Sequence, residues 1–208
     1  RVNRLSLARM FLFGARDVWF VVGIPVYFQA VLSDGTSEGR REAFFLIGSF
    51  LALWIIAYGV VQTQAPRVTG KRTGRVPDGK AAMGWALVLT LTPALIALAL
   101  HFDLHPAISL VGGLMVFGAL FAINSSLHSY LIVSYAGADG VSLDVGFYYM
   151  ANALGRLLGT LLSGLVFQLY GLEACLWIST LFILLAALIS IGLPRHQPPV
   201  SSNPHGVS

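Results

Sequence analysis

The sequence predicts an all-α integral membrane protein with six transmembrane helices, and three observations carry that prediction. Only 11% of its residues are charged and 56% are hydrophobic, against about 25% charged in an ordinary soluble domain. The apolar residues fall in long blocks, each reaching the ~20 residues that a helix needs to cross a bilayer. Most basic residues stand between the blocks, so the net charge of +4 reads as membrane topology rather than as a nucleic-acid surface.

The first block, residues 5–32, holds Arg9, Arg16, Asp17 and a proline, Pro25, that predicts a kink. The second covers 43–64. The third, 81–100, carries Pro93, and the fourth covers 107–134. The fifth and sixth cover 145–170 and 174–193, separated by the short stretch Gly171-Leu172-Glu173. Loops containing Gly, Pro or Asp divide the blocks, as at His101–Pro106 and Ala136–Gly140. Residues 1–193 therefore form one transmembrane bundle. Residues 194–208, rich in Pro, Ser and His, are expected to be a disordered cytoplasmic tail.

Orientation is set by Lys and Arg. Six crossings put both termini and the 2–3 and 4–5 loops on one side. That side holds Arg1, Arg4, Arg9, Arg67, Lys71, Arg72, Arg75, Lys80 and Arg195, whereas the other holds Arg40 and Arg41. The excess places both termini in the cytoplasm and the protein in the cell (inner) membrane. The chain begins with Arg1 and runs a short basic stretch straight into a span, so it is expected to be a piece of a longer protein.

Polarity adds a second regularity. Spans three and six lack Asp, Glu, Lys, Arg, His, Asn and Gln, while every other span has at least one. Two triplets that each end in a bland helix fit a 3+3 inverted repeat, with the third helices outside and the others around a central cavity.

The candidate site is assembled from the polar residues inside the spans. Arg16 and Arg156 are each the twelfth residue of their span, which at 1.5 Å per residue puts both roughly 16 Å deep. A central Arg costs roughly 2.5–3.5 kcal/mol on insertion scales, so it normally faces a bundle interior or a watery cavity. Two guanidiniums at one depth can clamp a carboxylate or phosphate, or each can pair with a carboxylate for structure. Asp17 is the one acidic residue deep in a span. It can couple protons or serve as a fixed counter-ion to the arginines. Tyr148, Asn152 and Arg156 stand at i, i+4 and i+8 as a polar stripe, beside a small-residue ridge of Gly155, Gly159 and Ser163. On the fourth span Asn124 and His128 share a face and can bind ligand or a neighbouring helix.

Enzyme chemistry finds little footing. Neither H-E-x-x-H nor G-x-S-x-G is present, and a rhomboid-type protease needs a partner-span histidine that the sixth span lacks. The single cysteine, Cys175, excludes an intrachain disulfide, and no Cys or His cluster offers a metal site or calls for a cofactor.

The run Asn152-Ala-Leu-Gly155-Arg156-Leu-Leu-Gly159-Thr-Leu-Leu-Ser163-Gly164, with Tyr170-Gly171 after it, resembles helix eleven of major facilitator superfamily transporters. Gly70-Lys71-Arg72 resembles a degraded form of that superfamily's loop between helices eight and nine, without its acidic and basic pair. Phe11-Leu-Phe-Gly14-Ala-Arg16-Asp17-Val-Trp19-Phe-Val-Val-Gly23 resembles the ArsJ-type organoarsenical efflux permeases of the superfamily, and the likeness runs over the whole chain. The resemblance implies the C-terminal six-helix half of a twelve-helix secondary transporter, with the N-terminal half absent. It implies export of 1-arseno-3-phosphoglycerate, formed when a glyceraldehyde-3-phosphate dehydrogenase accepts arsenate, and hence arsenate resistance. Buried arginines suit such an anionic small molecule, with Arg16 and Arg156 on its charged groups and Asn124, His128, Tyr148 and Asn152 supplying hydrogen bonds. Two other readings stay open: an exporter of another organic anion or drug, and a six-span scaffold subunit that transports nothing.

Overall fold

The structure, a computed structural model, describes residues 1–71, 76–137 and 140–195. Among the described residues every regular element is helical. In chain order these are α1 (Val2–Phe20), α2 (Gly23–Leu32), α3 (Ser37–Pro66), α4 (Gly79–His101), α5 (Pro106–Tyr135) and α6 (Val141–Ser190), with a π-helical turn, Arg67–Lys71, continuing α3. Among the described residues five stretches are long and apolar enough to cross a membrane: Val2–Leu32, Ser37–Gly70, Gly79–His101, Pro106–Tyr135 and Val141–Ser190.

The expected first span is not one helix. It breaks at Val21–Val22 into α1 and α2. Pro25, near the start of α2, has no N–H to return to the carbonyl of Val21 and crowds it. The amides freed by the break do not go unpaired: those of Val22 and Gly23 both donate to Ser163 Oγ on α6, each at 3.2 Å. A backbone break inside an apolar bundle is tolerated only with such a partner.

The expected fifth and sixth spans differ in the opposite sense, because helix runs through both as the 50-residue α6. Gly171 interrupts it with φ 77° and ψ −174°, a conformation open essentially to glycine alone. The two arms, residues 141–170 and 172–190, fold back on each other. A Cβ placed on Gly14 of α1 would meet both the Gly155 carbonyl, at 3.0 Å, and the Phe182 ring, at 3.2 Å. In a straight helix those two residues would stand roughly 40 Å apart.

Helix α1 is the centre of the packing, with Leu5, Ala8, Leu12, Ala15, Val18 and Trp19 each fully buried. Glycines bring α6 against its backbone. A Cβ on Gly155 would collide with the Met10 carbonyl, and one on Gly159 would lie 2.6 Å from the Gly14 carbonyl. The second arm docks on the same helix, where Ser179 Oγ donates to the Ala15 carbonyl at 2.7 Å. The most exposed long helix is α3, with 11% of its most apolar window buried against 39% for α4. The second span is therefore more exposed than the third, which was expected to lie outside. Small residues explain the inversion, since Ala82 and Ala86 let α4 approach its neighbours while α3 projects Phe44, Phe45 and Leu53 outward.

Polar contacts gather the chain ends. Arg4 Nη1 donates to the Gly192 carbonyl at 2.9 Å, and the Pro194 carbonyl accepts from Gly79 N at 3.0 Å and Tyr135 Oη at 3.1 Å. The segment expected to be disordered from residue 194 thus begins with an anchored carbonyl, and residues 196–208 lie outside the described residues. At the opposite end His101 Nδ1 lies 3.3 Å from Glu173 Oε1, joining the C-terminal end of α4 to the bend of α6.

Two substitutions test this packing by thermal unfolding in detergent. Gly159→Val should abolish the folded state, whereas Gly164→Val, where a Cβ meets nothing within 4 Å, should leave it unchanged. Ser163→Ala strands two amides and should cost about 1–3 kcal/mol; no loss would mean that the break in the first span is held by something else.

Candidate functional site: a buried arginine cluster

Three guanidiniums and one carboxylate meet where α1 crosses α6. Asp17, 1% exposed, lies between two of them: Arg16 Nε donates to Oδ1 at 2.6 Å and Arg156 Nε to Oδ2 at 3.1 Å. The side chain of Arg16 is 16% exposed and that of Arg156 is 56% exposed, so the pair presents one enclosed and one open cation. The helix crossing produces this geometry. Gly159 lies against Gly14 and the β-carbon of Asp17, so Arg156, three residues earlier on α6, reaches the same carboxylate.

The third guanidinium belongs to Arg9, which the charge pattern assigned to the cytoplasmic end. The structure buries it to 5% exposure. Its Nε donates to Asn152 Oδ1 at 3.1 Å, and its Nη1 donates to the Ser125 carbonyl at 3.0 Å and to Ser125 Oγ at 3.3 Å. Its guanidinium carbon stands 3.9 Å from the centroid of the Phe13 ring and 5.0 Å from that of Tyr148. Arg16 approaches the same Phe13 ring at 5.1 Å and Phe121 at 5.4 Å. All four contacts fall within reach of cation–π attraction. The missed signal was helical register: Arg9, Phe13 and Arg16 stand at i, i+4 and i+7 and so share one face.

The predicted stripe on α6 divides between these cations. Arg156 goes to Asp17, while Tyr148 and Asn152 go to Arg9. On α5, His128 stands one turn beyond Ser125 and is buried. Asn124 is engaged elsewhere: its Nδ2 donates to the Trp85 carbonyl at 3.1 Å and to the Leu120 carbonyl at 2.9 Å, which binds α5 to α4. The carboxamide oxygen of Asn124, the hydroxyl of Tyr148 and Nδ1 of His128 have no hydrogen-bond partner among the described residues. No three His, Cys, Asp or Glu side chains among the described residues gather as metal ligands would.

The two ion pairs should differ in weight. Removing the enclosed carboxylate, Asp17→Asn, leaves Arg16 uncompensated and should destabilise by about 3–5 kcal/mol. Arg156→Gln, at the half-exposed end, should cost no more than about 1 kcal/mol. Equal losses in thermal unfolding would mean that Asp17 is held chiefly by Arg156.

No family model matches the chain, and no curated protein and no solved structure matches it either.

Proposed function

We propose that the chain is the C-terminal, six-crossing half of a major facilitator-type secondary transporter that exports an anionic organoarsenical, 1-arseno-3-phosphoglycerate. The observation that carries the anionic substrate is the charge inside the bundle: three guanidiniums, Arg9, Arg16 and Arg156, against the single carboxylate Asp17. An uncompensated positive charge among apolar helices is costly unless an anion enters to share it. Arg156 is the open member and would meet the anion first. An arriving oxyanion competes with Asp17 for that guanidinium, and planar, permanently charged Arg suits bidentate capture of phosphoryl or arsenyl oxygens.

Six crossings are supported by the fold-back at Gly171, which turns α6 into two antiparallel arms. Both termini on one face, read as cytoplasmic, are supported by the meeting of Arg4, Gly79, Tyr135 and Pro194 at one end of the bundle. The organoarsenical itself rests on the resemblance of residues 11–23. Another organic anion would satisfy the same arginines.

The test uses everted membrane vesicles containing the full-length protein. Arsenate with glyceraldehyde-3-phosphate, NAD and the dehydrogenase should drive arsenic accumulation, and free arsenate alone should not. Arg156→Gln, shown to be inserted, should lower the rate at least about tenfold. Accumulation of neither species by inserted wild-type protein would remove the organoarsenical, and an unaffected Arg156→Gln would remove that residue from the path.

A further inference from the structure

Arg9 differs from the other two arginines in having no carboxylate against it. Its guanidinium is spent on neutral acceptors, Asn152 Oδ1 and the Ser125 carbonyl and hydroxyl. None of these three bonds comes from its Nη2 group. Beside this cation stand two polar groups without partners. Tyr148, fully buried, lies with its ring 5.0 Å from the Arg9 guanidinium carbon. Its hydroxyl lies near Ser129 and Arg9 but meets hydrogen-bond geometry with neither. His128, 1% exposed and one turn along α5 from Ser125, leaves Nδ1 unpaired. An unmatched buried polar group costs about 1–3 kcal/mol, and an unmatched charge costs more. A hydroxyl and a guanidinium are donors, as is an imidazole in the tautomer that carries its proton on Nδ1, and one kind of group answers all three: an oxyanion with several acceptor oxygens.

We propose that Arg9, Tyr148 and His128 form an oxyanion-binding subsite, separate from the Arg16–Asp17–Arg156 pair and divided from it by the Phe13 ring. The ligand group is a tetrahedral oxyanion of the phosphate or arsenate class. Phe13 holds the two centres apart while touching both, at 3.9 Å from the Arg9 carbon and 5.1 Å from the Arg16 carbon. The Asp17 carboxylate is already committed to Arg16 and Arg156, whereas no carboxylate faces Arg9, so an anion arriving at Arg9 has none to displace. The subsite sharpens the proposed anion export by naming where one charged group rests, and it depends on that reading only for its physiological ligand.

Its test therefore needs no transport. Purified full-length protein in detergent is titrated with inorganic phosphate at constant ionic strength, with chloride as the control, and thermal unfolding is followed. Wild type should show saturable stabilisation by phosphate beyond the unsaturable effect of an excluded salt. Arg9→Gln should weaken the apparent affinity at least about tenfold, and Arg41→Gln, an exposed arginine outside the cluster, should leave it within about twofold. Because Arg9→Gln can damage the fold, Tyr148→Phe serves as the second variant. It deletes an unpaired hydroxyl, so without phosphate it should be as stable as wild type or more so, while its phosphate affinity falls several-fold. Retention of the full phosphate effect in both Arg9→Gln and Tyr148→Phe would overturn the subsite, as would wild type showing no saturable effect. A saturable effect at Arg9 in protein that fails the vesicle experiment would retain the subsite and discard the organoarsenical.

Discussion

The contact on which the rest of the structure depends is the approach of the α1 backbone to the glycines of α6. Gly155 lies on the Met10 carbonyl and Gly159 on the Gly14 carbonyl, so neither position has room for a side chain. Among apolar helices there is little hydrophobic gain in association, and close backbone packing takes over that role. Once Gly159 meets Gly14, the neighbouring register is determined. Arg156 falls beside Asp17, Asn152 falls beside Arg9, and Ser163 falls beside the broken backbone at Val22–Gly23. One helix crossing thus sets the ion pairs, the buried cation and the helix break together.

The breaks on either side of that crossing belong to the same design. At Val21–Val22 the chain gives up two backbone hydrogen bonds and recovers them from the Ser163 hydroxyl. At Gly171 it turns back through a conformation that a Cβ would strain. Each break lets the chain change direction beside α1, and at Val21–Val22 the Ser163 hydroxyl keeps the amides matched in an apolar setting. The first arm of α6 brings the arginine. The second brings Ser179 and Phe182 to α1 beside it, so Gly14 touches both arms.

Much of this was legible in the residues and some of it was not. The apolar blocks located the long helices, with ends off by as much as six residues at the start of α3, because helix in such a chain follows from length and hydropathy. Gly155, Gly159 and Ser163 stood out as a ridge, since their spacing of four places them on one face. The pairing of Arg16 and Arg156 near one depth was also visible, although their common partner Asp17 needed the crossing angle to reveal it. Other features depend on neighbours that no single segment records. Pro25 announced a disturbance in the first span, but the break lies upstream of it, where the Ser163 hydroxyl is within reach. The exposed position of α3 depends on which partner offers small residues, and that is a property of pairs.

Arg9 shows where reading by charge alone goes astray. A basic residue within two or three turns of a chain end is ordinarily a topology signal, because snorkelling to the interface is cheap there. Three local facts turn it inward instead. Phe13, one turn on, offers a ring face at 3.9 Å; Asn152 offers an oxygen at 3.1 Å; and Ser125 offers two more acceptors. Those contacts replace much of the hydration that a guanidinium loses, which Arg permits because it is more weakly hydrated than an ammonium. They do not replace its charge. A cation solvated entirely by neutral groups remains attractive to any anion that can reach it, whereas Arg16 and Arg156 share a carboxylate that an incoming anion must first displace. The cluster therefore holds two unlike sites a ring apart, one already holding a carboxylate and one holding none.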